Sequence, residues 1–194
     1  MIIKLSITLL TLVFSTVLQA ETESWYLNAS IGFSNKDNPA AVEQVLSSAE
    51  NNYDTNRVGA AFDIGIYWPV FGDSFLLGVV ANASIDSVQD NNFNEILSHD
   101  LEYVGVSVIK YIGETFGKGI FVRGDIGDAS AKYRYTNNGY EVDDGSGSAT
   151  LIGIGYSKPI FGNRTRLNFS LNVISSNIEN REYSSNQLMF GFMW

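Results

Sequence analysis

Few residues in this 194-residue chain could do chemistry at a shared centre. There is one histidine, His99, and there is no cysteine. A zinc site built on imidazoles needs more than one histidine, and thiolate ligands are absent, so no metal site and no cofactor are expected. Ser98, His99 and Asp100 are the residue types of a hydrolytic triad. Adjacent positions seldom reach triad geometry, so no catalytic residue is expected and His99 reads as a solvated residue of a polar loop. Asp63, Arg123 and Asp125 are a different set. They fall on the less apolar face of alternating segments. Buried charge is costly unless paired, so they predict a salt-bridged network that fills an interior. The alternative is a selective polar path. Arg123-Gly124-Asp125 also spells a cell-attachment tripeptide, but it lies mid-strand, whereas recognition would need a loop tip.

The elements that position these groups are strands. In residues 57–68, Val58, Phe62, Ile64, Ile66 and Trp68 share one face, while Gly59, Asp63, Gly65 and Tyr67 share the other. Such alternation is a strand with one apolar and one small or polar face. The same reading holds for 24–33, 74–86, 119–127, 150–158, 166–174 and 187–194. The segment 101–112 is ambiguous, and the face of Val104, Val106 and Val108 is taken as outward. That choice puts Lys110 near a turn, where a lysine can reach headgroups. The count is eight strands of membrane-spanning length.

Phe71-Gly72, Phe116-Gly117 and Phe161-Gly162 recur every 45 residues and mark three short turns at one rim. Longer polar connections are expected at 34–56, 87–100, 132–148 and 178–184. Within the first, residues 39–50 have helical spacing and predict a short helix that caps the mouth or meets a partner. Aromatics fall near both rims. Trp25, Trp68, Phe71, Tyr111, Phe116, Tyr156 and Phe161 are the expected membrane-interface residues on the short-turn side. Phe33, Tyr133, Tyr135, Tyr140 and Tyr183 fall on the other side.

Composition narrows the classes further. The chain has 12 Lys+Arg against 21 Asp+Glu, a formal charge of −9, so no nucleic-acid partner is expected. Residues 1–20 have a basic start, a short apolar run and a small residue at Ala20, the layout of a secretory signal peptide. Residues 21–194 are then one barrel domain. The expectation is an all-β, eight-stranded antiparallel up-and-down transmembrane β-barrel.

On these residues the chain resembles the small eight-stranded outer-membrane β-barrels of Gram-negative bacteria, the OmpA/OmpX-like superfamily. The last strand resembles the C-terminal signal read by the barrel-assembly machinery, with Leu188, Phe190, Gly191, Phe192 and Trp194 as its residues. The resemblance implies outer-membrane lipid and lipopolysaccharide as surroundings, a monomer, and a structural or surface-interaction role through the long loops. Some such barrels are lipid A deacylases, whose His-x-Ser pattern is not met by His99-Asp100-Leu101. No enzyme activity is therefore expected. Two alternatives remain open. One is a narrow channel for small or hydrophobic solutes, similar to OmpW. The other is a soluble lipocalin-like carrier.

Overall fold

The computed structural model describes residues 25–53, 55–70, 74–90, 94–113, 117–135, 139–160 and 165–194. The segment expected as a signal peptide and the interface residues Phe71, Phe116 and Phe161 lie outside the described residues. The strands are β1 (Tyr26–Asp37), β2 (Asn56–Pro69), β3 (Phe75–Gln89), β4 (Glu95–Tyr111), β5 (Gly119–Tyr135), β6 (Tyr140–Ile160), β7 (Thr165–Ile178) and β8 (Arg181–Met193). They pair antiparallel in sequence order, and β8 closes on β1. Closure leaves no long free edge, which is how an all-β wall satisfies its backbone in an apolar solvent.

Outward residues change character at one level on every strand. Toward the short turns they are apolar and exposed, such as Ile31 and Phe33 on β1, Val104 and Val106 on β4, and Ile152 and Ile154 on β6. The valine face of β4 is therefore the outward one. One or two steps further on they turn polar: Asn35 and Asp37 on β1, Asp128 and Ser130 on β5, Ser175 and Asn177 on β7. The apolar band covers about 7–11 residues per strand. At ~3.3 Å per residue and ~40° tilt this is about 18–28 Å, the height of a membrane belt.

The strands run well past this band. β4 and β5 have 17 residues each and β6 has 21. From segments expected as loops they form a collar above the band, exposed to water along the outer face of β1, β5, β6 and β7, while the outward Ser87 of β3 and Ser98 and Asp100 of β4 are buried. Thus 95–100 is strand, and the 132–148 connection shrinks to the tip between Tyr135 and Tyr140. Polar residues on the outer face of a collar have loop-like composition but keep strand pairing, except between β1 and β2, whose pairing stops at Phe33–Ala60. The expected 178–184 loop is a two-residue turn. Glu179 and Asn180 both have positive φ, 50° and 60°, as tight hairpins matching the strand twist require.

In the first connection, α1 spans Ala40–Tyr53, longer than the expected 39–50. Pro39 precedes it and Glu43 sits in its first turn, both favourable at a helix N-terminus. Val42 and Leu46, four apart on one face, are fully buried in a cluster with Val88 and Leu97, which pair across β3 and β4. The helix is thus folded onto the inward side of the collar. Among the described residues no helix is long and apolar enough to cross a membrane.

Candidate functional site

The interior is built in layers. Near the short turns lie Tyr67, Leu76, Ile109, Tyr111 and Met193, all buried. Gly78 faces Tyr67 across β2 and β3, and a Cβ there would collide with the tyrosine ring. Tyr111 corrects one expectation. It is fully buried inside the barrel, tilted against Phe121, and does not face lipid. It shares the inward phase of Tyr103, Ser107 and Ile109 once the valines point out. Trp68 and Tyr156 face outward in the apolar band, and Trp25 is partly exposed at its lower edge.

The next layer holds the charges. Arg123 on β5 reaches across to β2, where its NH1 and NH2 donate to the two Asp63 oxygens at 3.0 and 2.7 Å. Its Nε and NH2 also donate to Asp125 on its own strand, at 3.0 and 2.7 Å. Asp63 accepts two further bonds from the Asn28 and Asn82 amides, and Asp125 accepts one from the Tyr103 hydroxyl. Asn82 exchanges bonds with Gln187, which continues to Ser84 and Ser185. The structure thus joins Asp63, Arg123 and Asp125 in one buried network from β1 to β8. Every carboxylate oxygen in it has a donor, the condition for burying charge at tolerable cost. Gly124 lies between them in the outward phase, so the tripeptide is divided between the two faces of the wall.

Beside and above the network the lumen is lined by the buried apolar residues Leu101, Ala131, Ala149, Leu151 and Ile174. Side chains fill the interior, as the small circumference of an eight-stranded barrel dictates.

The collar contains the site that the sequence reading missed. His99 is not a solvated loop residue. It lies on β4 with no exposed surface. Polar neighbours suggested water, but strand alternation separates them. Ser98 and Asp100 take one face, and His99 takes the inward one with Leu97 and Leu101. Its ring stacks on Tyr183 at 5.7 Å and meets the edge of Tyr133 at 4.9 Å. The Lys36 ammonium donates to its carbonyl and lies 3.1 Å from Nδ1. A donor at Nδ1 fixes the neutral tautomer with its proton on Nε2, which points at Asp144 Oδ2, 3.4 Å away.

Asp144 is there because of a bulge. Ala131 pairs with Gly145 and Lys132 with Asp143, so Asp144 is the extra residue between them. Gly145, at φ 116°, supplies the backbone freedom the bulge needs. The carboxylate accepts bonds from Arg181 and Tyr183, both at 2.9 Å. Burial, reinforced by the Lys36 charge, lowers the His99 pKa to about 4 against the pull of Asp144. Burial lowers Lys36 to about 8 despite Asp86 and Asp100 nearby.

Beside α1, Arg57 binds Asp86 and Glu43 with paired hydrogen bonds. These hold its proton more firmly than usual, Asp86 contributing most. Burial pushes the Asp86 carboxyl upward, but Arg57, Lys36 and Asn38 together outweigh it and the group sits below its usual range. Among the described residues no three His, Cys, Asp or Glu groups converge to hold a metal ion. In the last strand, Leu188, Phe190 and Phe192 face outward, Gly191 faces inward, and the Trp194 backbone exchanges hydrogen bonds with Leu27 at the seam.

No family model matches the chain, and no curated protein matches it in sequence. Solved structures do match in fold. Neisserial surface protein A superposes with a TM-score of 0.54 at 10% identity, covering 88% of this chain and 96% of that one. Ail, the attachment invasion locus protein of Yersinia pestis, gives 0.50 at 12% identity over 89% of this chain and 100% of its own. Ail in complex with the heparin analogue sucrose octasulfate gives 0.52 at 13% identity, covering 88% and 99%. The chain has the fold of these small eight-stranded outer-membrane barrels.

Proposed function

We propose that this chain is an integral outer-membrane barrel acting as a structural or surface-interaction protein, with its collar and α1 as the contact surface. The observation that carries the reading is the outward apolar band, which ends at a common level on all eight strands. Water-facing walls have no use for a continuous belt of exposed Ile, Val, Leu and Phe. A soluble carrier of the lipocalin kind would turn those residues inward around a ligand. Here the interior is occupied by a satisfied ionic network and packed apolar layers.

The orientation follows from the asymmetry of the two ends. Short turns face the periplasm, and the acidic collar with α1 faces outward. The protein works as a monomer, surrounded by outer-membrane lipid and lipopolysaccharide and inserted by the barrel-assembly machinery through its last strand. Most of the collar is a hydrogen-bonded strand wall where loops were expected. Such a polar surface suits recognition, and Ail, named for attachment and invasion, has the same fold. A channel would need a continuous lumen, which the packed layers oppose.

The test is fractionation followed by gels of unboiled and boiled outer membranes. The reading expects the protein in that fraction with a heat-dependent shift in mobility. A periplasmic protein with no shift would refute it.

A further inference from the structure

The wall has one lateral break. β1 pairs with β8 up to Asp37, and β2 pairs with β3 down to Asn56, but the β1–β2 register ends at Phe33–Ala60. Above that pair the two strands bound a cleft of about 550 Å³, within the range of small-molecule sites. Its β1 lining includes both inward residues, Ser34 and Lys36, and outward ones, Asn35 and Asp37, with Asn38 just past the strand end. A cavity lined by both phases of a strand runs along the strand's edge, so this one opens through the wall. The remaining walls are Arg57, Asp86 and Glu43 of α1. On the outer wall Phe33, 67% exposed, lies just below it and Val58, 41% exposed, beside it, at the top of the apolar band.

The lining selects the ligand chemistry. Arg57 has its donors engaged by Glu43 and Asp86, and Lys36 is turned to His99. Three carboxylates, Asp37, Glu43 and Asp86, outnumber the two cations, which disfavours phosphate or any other anion. No metal-holding group forms, and the two cations disfavour an ammonium. What remains uncommitted is mainly acceptor. Asn38 Oδ1 is buried and has no partner among the described residues, while the Asp37 carboxylate and Asn35 amide are exposed. A buried acceptor without a donor is costly, and a ligand hydroxyl would satisfy it. We propose that this cleft is a lateral binding site for a hydroxyl-rich saccharide. Its place at the top of the band, above Phe33 and beside Val58, suits the sugar part of an outer-leaflet glycolipid whose acyl chains lie against the band; a free oligosaccharide offers the same chemistry. The lipid source rests on the membrane reading above.

The protein is placed in nanodiscs of phosphatidylethanolamine and phosphatidylglycerol, with or without rough lipopolysaccharide, and released for native mass spectrometry. A parallel sample receives the free core oligosaccharide. Two variants are compared with the parent: D37L/N38L, which removes acceptors, and N35W, which blocks the outer mouth. Heat-dependent gel mobility establishes that each variant is folded and inserted, which separates failure of the cleft from failure of the membrane reading. Lipopolysaccharide retained by the parent and reduced at least tenfold in both variants supports the site with a lipid source. Retention of free oligosaccharide at equal strength, with the same variant sensitivity, supports it with a soluble source. Equal retention by parent and variants, or retention of neither ligand, overturns it.

Discussion

His99 gives a sharp prediction because it is the only histidine in the chain. Its environment contains Lys36 from β1, Asp86 from β3, Tyr133 from β5, Asp144 from β6, and Arg181 and Tyr183 from β8. Burial and Lys36 favour the neutral ring, and the folded-state pKa is about 4. In an unfolded chain the ordinary value of about 6.5 applies. Because the folded value is the lower one, the unfolded state binds a proton first as pH falls. Stability is therefore intact above about pH 6.5 and is lost progressively down to about pH 4. Each pH unit in that window is worth about 1.4 kcal/mol, so the loss is about 3 kcal/mol. It falls on the collar, where the ring is packed. The assay is NMR titration of imidazole-labelled protein in nanodiscs, which gives one resonance set. The expected midpoint is near 4, and K36M should raise it by removing the adjacent positive charge. Hydrogen exchange of β4 and β6 collar amides should accelerate over the same range. A midpoint between 6 and 7, unchanged in K36M, would refute the buried placement of His99.

Other outcomes follow from the layers. R123M leaves two facing carboxylates buried without their cation and should cost about 3–5 kcal/mol in urea unfolding from bilayers. D63N keeps Arg123 paired with Asp125 and should cost clearly less, so the ranking of the two variants is the check. L46A removes a fully buried side chain where α1 meets Val88 and Leu97 and should cost about 2–5 kcal/mol locally. Protease cleavage within 38–55 would then speed up while the barrel's heat-dependent mobility is unchanged. Planar-bilayer recordings should show no steady conductance for the parent, as expected of an eight-stranded barrel whose interior has room only for side chains.

Much of the membrane-band architecture is legible in the alternation. Val58 to Trp68 and Leu167 to Val173 announce one apolar face by type alone, and the ring of charges follows because Asp63, Arg123 and Asp125 share the other. Tyr111 is misplaced by type, since an aromatic near a turn fits a headgroup belt, but alternation with Ile109 and Tyr103 decides its direction. The collar is hidden for a different reason. A strand in water needs no apolar outer face, so Lys132 and Arg134 read as loop although they are paired in β5, and Asp128 and Ser130 fall outside the strand expected at 119–127. His99 inherits the same error from Ser98 and Asp100. The signal that could have found it is the run Leu97, His99, Leu101, Tyr103, which continues the inward phase of β4 without interruption. The Asp144 bulge had no comparable signal beyond Gly145 within an acidic stretch.

The central claim is the level at which the outer wall changes solvent. The chain has no cysteine, so single cysteines at Ile126 and Asp128 can carry nitroxide labels two residues apart on the same face of β5. Power-saturation spectroscopy in lipid bilayers then compares collisions with oxygen and with a water-soluble nickel chelate. Oxygen-dominated relaxation is expected at 126 and nickel-dominated relaxation at 128. Water-dominated relaxation at both positions would contradict the membrane belt, and with it the reading of this barrel as a spanning one.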